Sequence, residues 1–179
     1  MLRKFKPFNK WFFKRKVIFP RRVERFGEDV FVIREVLAED VKRLLEVERL
    51  VYGDNIPWTR SAFLSELLSP IKHLYLCVEQ EGAILAFIGC RIIGNDAHIT
   101  NLAVVPNVQG RGIGNYLVAQ MIAYAQKNDC LTLSLEVRLG NIDAQRLYRN
   151  QGFVSKAIKR GYYDATNEDA LDMVKYLED

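Results

Sequence analysis

The chain is predicted to fold as an α/β (α+β) domain, a mixed sheet of about seven strands with helices on both faces. Two observations carry this. His73–Glu79, Ala83–Ile93 and Ala97–Val105 are β-branched, apolar segments joined by the short turns Glu81-Gly82 and Gly94-Asn95-Asp96, which makes an antiparallel meander. The helical pattern Ile113–Lys127 then separates Ala97–Val105 from Thr132–Val137, and is long enough for a parallel crossover. Ligands of such sheets sit at strand C-terminal ends where the strand arrangement changes, here between Val105 and Val137.

The remaining elements follow in order. Val30–Val36 alternates as a first strand. Ala38–Tyr52 reads as an amphipathic helix, with Val41, Leu44, Leu45 and Val51 inward, Glu48 outward and Gly53 as its stop. Thr59 caps a second helix that buries Ala62, Phe63 and Leu67 and ends before Pro70. In the long helix Leu117, Met121, Ile122 and Ala125 form one apolar face. Asn141 caps a helix running through Arg149, Gly152-Phe153 opens a strand toward Lys159, and a polar loop 161–169 precedes the last strand, Ala170–Leu177.

Composition bounds the chemistry. The 179 residues suit one domain, 29–179, with an appendage at 1–28. Residues 1–25 hold ten Lys/Arg against one acid, Glu24, so that stretch carries +9 and the remainder −5 of the net +4. Cations alternate there with Phe5, Phe8, Trp11, Phe12, Phe13 and Phe19. Three readings stay open: a floppy basic tail, an arm docking on RNA or another anionic surface, or a membrane-surface helix. Cys77, Cys90 and Cys130 form no CxxC pair and lie in apolar patterns, and His73 and His98 are far apart. Buried thiols and no metal site are expected, in a cytoplasmic protein without a transmembrane or signal segment.

The stretch Ile99–Gly114, ITNLAVVPNVQGRGIG, is a strand that breaks at Pro106 and enters a turn with Gly110, Gly112 and Gly114 just where the long helix begins. Unpaired amides at a helix N-terminus, with the helix dipole, suit a pyrophosphate. Gly114 is followed by Asn115 and Tyr116, which excludes a Walker P-loop, and the spacing is not that of a Rossmann turn. Downstream, Glu136 is a carboxylate near the end of an otherwise apolar strand. It is either a general base whose pKa partial burial displaces, or the partner of a cation such as Arg138. Tyr148 is open to packing or to proton donation, and Asn141 alone is a helix cap.

Taken together these residues resemble the GCN5-related N-acetyltransferase (GNAT) family. Asn101-Leu102-Ala103-Val104, Pro106 and Gln109-Gly110-Arg111-Gly112-Ile113-Gly114 resemble its acetyl-coenzyme A motif, matched at Gln109, Gly112 and Gly114. Leu135-Glu136-Val137-Arg138, Asn141, Ala144, Leu147-Tyr148 and Gly152-Phe153 are similar to the branch that acetylates protein N-termini. Pro57-Trp58-Thr59, Arg160 with Tyr162-Tyr163, and Glu168-Asp169-Ala170 with Met173 extend the likeness over about residues 30–177.

The resemblance implies a GNAT-like sheet splayed between its fourth and fifth strands, with acetyl-coenzyme A as co-substrate and no metal. It implies that Leu102, Ala103 and Val104 hold the pantetheine arm as an added strand would, and that the amides from Gly110 to Asn115, with Arg111 and Ile113, cradle the pyrophosphate. Asn115 stands where the family often has a basic residue, a role left to Arg111. Asn141 would orient the cofactor, Glu136 would be the general base, and Tyr148 would protonate the leaving thiolate. A backbone N–H near Val104 would meet the oxyanion. The implied acceptor is a protein N-terminal α-amine, the alanine of a small-subunit ribosomal protein, entering between loops 53–58 and 161–167 past Trp58, Tyr162 and Tyr163. Two other functions stay open: acetylation of a small-molecule amine, and a non-catalytic coenzyme A-binding adaptor.

Overall fold

The computed structural model describes residues 18–53, 55–163 and 166–177. Eight strands form one sheet in the order β1-β2-β3-β4-β5-β6-β8-β7. They are β1 Arg22–Phe26, β2 Asp29–Glu35, β3 His73–Gln80, β4 Ala83–Ile93, β5 Asp96–Val104, β6 Thr132–Arg138, β7 Val154–Tyr163 and β8 Glu168–Tyr176. The helices are α1 Val41–Tyr52, α2 Arg60–Leu67, α3 Ile113–Lys127 and α4 Ile142–Asn150.

The meander forms as its turns dictate: Glu81 and Gly82 both take positive φ, the mirror-image turn that matches strand twist. Leu74–Val78 of β3 and Ala86–Ile88 of β4 are buried at every position, so both faces of the central sheet are covered. Helices α1 and α2 pack on one another and on β3 to β5, and α3 packs on β3 to β6. At the entrance to α1, Asp40 is buried, accepts the Leu37 N–H at 2.8 Å and pairs with Arg34 at 2.7 Å and with Arg43. Thr59 Oγ1 accepts the Ala62 N–H at 3.1 Å, the expected cap of α2.

Three expectations need correction. The first strand of the sheet is β1, within the stretch read as a basic arm; residues 1–17 of that arm lie outside the described residues. Strand β1 pairs antiparallel with β2, the Phe26 ring meets Tyr116 at 5.5 Å, and Tyr116 Oη donates to Glu24 at 3.0 Å. The strand count is therefore eight, and the expected strands four and five are β5 and β6. Next, Tyr162 and Tyr163 end strand β7 and do not lie in a loop. Finally, Glu48 points inward: it is 1% exposed.

What positions the site is how β5 and β6 part. They pair in parallel only at Asp96↔Thr132, Ala97↔Leu133 and His98↔Ser134. A register shift between Gly89 and Cys90 of β4 leaves Thr100 as an extra residue in β5, and such a bulge bends a strand. Beyond it β5 stays on β4 and β6 stays on β8, so a wedge opens between them.

Candidate active site

The wedge is a cleft of about 560 Å3. Leu102, Ala103, Val104, Gln109, Gly110, Gly112, Ile113, Gly114, Asn115, Glu136, Asn141, Tyr148, Trp58 and Tyr163 all line it. Val105 spends its N–H on Leu85 O of β4 at 2.9 Å. Leu102 O accepts from Tyr52 Oη at 3.4 Å and Val104 O from Gln109 Nε2 at 2.8 Å, so alternate backbone groups of β5 turn to the cleft. That edge is a strand edge without a neighbouring strand, the arrangement an extended amide-bearing chain can pair with.

The glycine turn closes one end. Gly110 and Gly112 have φ of +74° and +93°, left-handed values that glycine adopts freely. Gly112 caps α3 without a side-chain hydrogen bond, which leaves the helix's first amides for an anion. Gly114 serves packing instead: a Cβ there would stand 2.8 Å from Leu147 Cδ1, so its absence lets α4 approach α3. Arg111 does not line the cleft; it pairs with Asp29 and donates to Asn107 O at 3.0 Å. Asn115 Oδ1 accepts from Gln151 Nε2 at 3.2 Å. Asn141 caps α4 through Ala144 N–H at 3.1 Å.

Glu136 lies on the polar face of β6, where Thr132, Ser134 and Glu136 alternate with the buried Leu133, Leu135 and Val137. Its two oxygens are held separately. Lys159 Nζ donates to Oε1, and His98 Nε2 stands 3.2 Å from Oε2. The displacement expected from burial alone is reversed: the His98 hydrogen bond outweighs desolvation and, with Lys159, brings the carboxyl down to about 2. Arg138, the cation named as a structural partner, instead pairs with Glu168 and lies 4.2 Å over the Tyr163 ring.

Tyr148 is 6% exposed, its ring 5.7 Å from Phe153, and burial holds its phenol protonated well above the ordinary range. Tyr162 is outside the cleft lining; its ring packs on Tyr163 at 5.1 Å and faces Lys159 at 5.6 Å. The Trp58 ring packs on Phe63 at 5.1 Å, and its backbone N–H donates to Glu48 Oε2 at 3.1 Å.

Sequence reading missed His98 and Glu48. A signal existed for both. Polar residues alternate along Asp96, His98, Thr100 and along Thr132, Ser134, Glu136, and the two strands were predicted to be neighbours. Glu48 stands four residues after the inward Leu44 and four before Tyr52 of the cleft wall. Asn101 also lines the cleft, with a buried Nδ2 that has no hydrogen-bond partner among the described residues.

Comparison with known proteins agrees with this architecture. The sequence profile described as "Acetyltransferase (GNAT) family" matches residues 39–153. The [Ribosomal protein bS18]-alanine N-acetyltransferase of Haemophilus ducreyi is 33% identical over 149 residues, 82% of this chain and 100% of that protein. The Escherichia coli K12 protein of the same name is 34% identical over 143 residues, 79% of this chain and 94% of that one. A crystal structure of the ribosomal-protein-S18-alanine N-acetyltransferase from Escherichia coli superposes with a TM-score of 0.73 at 28% identity, covering 83% of this chain and 95% of that one.

Proposed function

The chain belongs to the acetyltransferase (GNAT) family, and from that premise we propose that it acetylates the N-terminal alanine of a small-subunit ribosomal protein with acetyl-coenzyme A. One observation carries the reading. The glycine turn, the free edge of β5, Glu136 and Tyr148 converge on a single wedge, in a chain similar over most of its length to enzymes named for that reaction.

The thioester supplies the acyl group, and the chain supplies position and proton traffic. Leu102, Ala103 and Val104 hold the extended arm of the co-substrate, and the amides from Gly110 to Asn115 hold its pyrophosphate. Arg111 is committed to Asp29, so the turn's own amides bind the phosphates. Asn141 lines the same cleft. The acceptor arrives as an ammonium, since an α-amine has a pKa of about 8. Glu136, ionised throughout that range, draws it in and starts its deprotonation. The freed amine attacks the carbonyl, whose oxyanion takes an N–H of the β5 edge near Val104. Tyr148, always protonated, gives its hydrogen to the departing thiolate.

Trp58 and Tyr163 wall the acceptor end, with Tyr162 behind Tyr163. A slot between aromatic rings admits a thin peptide terminus better than a lysine on a folded surface. No helix among the described residues is long and apolar enough to cross a membrane, and a ribosomal substrate fits a cytoplasmic enzyme. The basic residues that precede β1 would then contact the RNA-rich particle. Acetyl transfer to Ala-starting peptides, tested beside polyamines and aminoglycosides, checks the reading. Transfer confined to small amines overturns it.

A further inference from the structure

Two acids face each other across β6 and β8. Glu136 and Asp172 are direct partners in the register of those strands, and their side chains are 12% and 14% exposed. Like charges placed directly opposite one another destabilise a sheet unless a cation joins them. Lys159 is that cation. Strand β7 sets Ala157 beside Asp172 and Lys159 two residues further along, opposite the small Ala170. A long side chain reaches such a diagonal neighbour. Lys159 Nζ donates to Glu136 Oε1 and stands 3.6 Å from Asp172 Oδ2. Arg138, two residues beyond Glu136 on β6, is taken by Glu168. His98 donates its Nε2–H to the other Glu136 oxygen, 3.2 Å away.

The lysine therefore holds the oxygen that an acceptor amine needs. Glu136 lines the cleft, whereas Lys159 and Asp172 lie outside its lining. An amine entering the cleft meets a carboxylate whose two oxygens are both engaged. It arrives as an ammonium, with the charge and the donor-only hydrogen bonding of Lys159 itself. We propose that the acceptor ammonium replaces Lys159 on Glu136 and that Asp172 receives the lysine, so that two carboxylates come to serve two cations. Lys159 and Asp172 are thus positioning residues that act on the acceptor through Glu136. The proposal rests on the reading of Glu136 as the group that meets the amine.

The exchange makes and breaks no covalent bond, and its geometry is favourable. Nζ is already within ion-pairing distance of Asp172, and the Lys159 side chain is 40% exposed, so the movement is short and unobstructed by burial. Glu136 is compensated throughout. Losing Lys159 to water instead would leave a largely buried carboxylate without its cation, which is costly. The exchange also readies the acid. The His98 hydrogen bond and Lys159 together hold the Glu136 carboxyl low, so withdrawal of the lysine leaves a carboxylate better able to take a proton from the amine beside it. Without Asp172 the lysine has no second partner, and the acceptor must compete with it for Oε1.

Steady-state acetylation of an Ala-starting peptide by the full-length protein tests this with two variants. Asp172→Asn keeps the side-chain shape and relieves the like-charge pair with Glu136, so the fold is retained. The peptide KM should rise about 10-fold, with kcat and the KM for acetyl-coenzyme A within about twofold of the parent values. Adding Lys159→Met to Asp172→Asn removes the competing cation. The peptide KM of that double variant should return to within about threefold of the parent value, a rescue that damage to a merely structural network does not give. A peptide KM unchanged in Asp172→Asn overturns the proposal, as does one that the double variant leaves raised. A parent protein that leaves the peptide unacetylated overturns the acceptor assignment, and the proposal with it.

Discussion

Glu48 and Trp58 are tied across the connection between α1 and α2: Glu48 Oε2 accepts the Trp58 N–H at 3.1 Å. The other oxygen, Oε1, is buried with no hydrogen-bond partner among the described residues. A buried carboxylate satisfied on one side only is costly in its charged form. Burial accordingly lifts Glu48 to about 7, against the lowering effect of the Trp58 hydrogen bond.

The sign of the linkage is opposite to that of most carboxylates. Glu48 is raised from 4.5 to about 7 in the folded chain, so the folded state holds its proton longer and stability falls as pH rises between those values. The full effect is at most about 3 kcal/mol. Glu48→Gln keeps the acceptor for Trp58 and removes the titration. Urea unfolding should show the variant more stable than the parent by about 1–3 kcal/mol above neutrality, and the advantage should vanish near pH 4. An equal difference at both pH values would show that Glu48 does not titrate.

Much of the fold was legible in the sequence, and the exceptions have physical causes. The meander, the crossover helix and the strand carrying Glu136 follow from apolar periodicity, which burial on one or both faces imposes. Strand β1 was hidden because it is an edge strand: Arg22, Val23 and Arg25 are exposed, so no apolar alternation marks it. Glu48 was misread by residue type, although its spacing from Leu44 places it on the inward stripe. Within the site the glycine turn and Glu136 announced themselves by motif, whereas His98 and Lys159 reach Glu136 from β5 and β7, a contact that only the sheet order creates.

The Glu136 carboxylate titrates far below neutrality, at about 2. Activity between about pH 5 and about pH 9 should therefore show no limb belonging to it. Glu136→Gln should lower kcat about 100-fold while leaving coenzyme A affinity, measured by calorimetry, within about twofold. Loss of affinity equal to the loss of rate would move Glu136 from proton transfer to binding.

Tyr148 is packed and protonated at once, so its hydroxyl and its ring can be separated by substitution. Tyr148→Phe keeps the contact with Phe153 at 5.7 Å and removes the proton. The expected outcome is a drop in kcat of about 10-fold or more with thermal stability little changed. Full activity would leave the tyrosine a packing residue.

In the glycine turn, Gly112→Ala forces a Cβ into a left-handed conformation at φ +93°, a strain of about 1–2 kcal/mol. Coenzyme A should bind about 10-fold more weakly, because the amides at the start of α3 lose their alignment. Arg111→Ala, by contrast, removes a side chain held by Asp29 outside the cleft and should change coenzyme A affinity by less than about threefold. A larger loss for Arg111→Ala would return that residue to the phosphate site.

The acceptor assignment has one direct test: initial rates of acetyl transfer from acetyl-coenzyme A to an Ala-starting peptide copied from the ribosomal protein's N-terminus. The same peptide with a blocked α-amine and a free lysine, and a panel of polyamines and aminoglycosides, serve as competitors. Acetylation of a protein N-terminus predicts transfer to the α-amine alone, sharply reduced in Glu136→Gln. Transfer to the blocked peptide's lysine or to the small amines, with none at the α-amine, would contradict it.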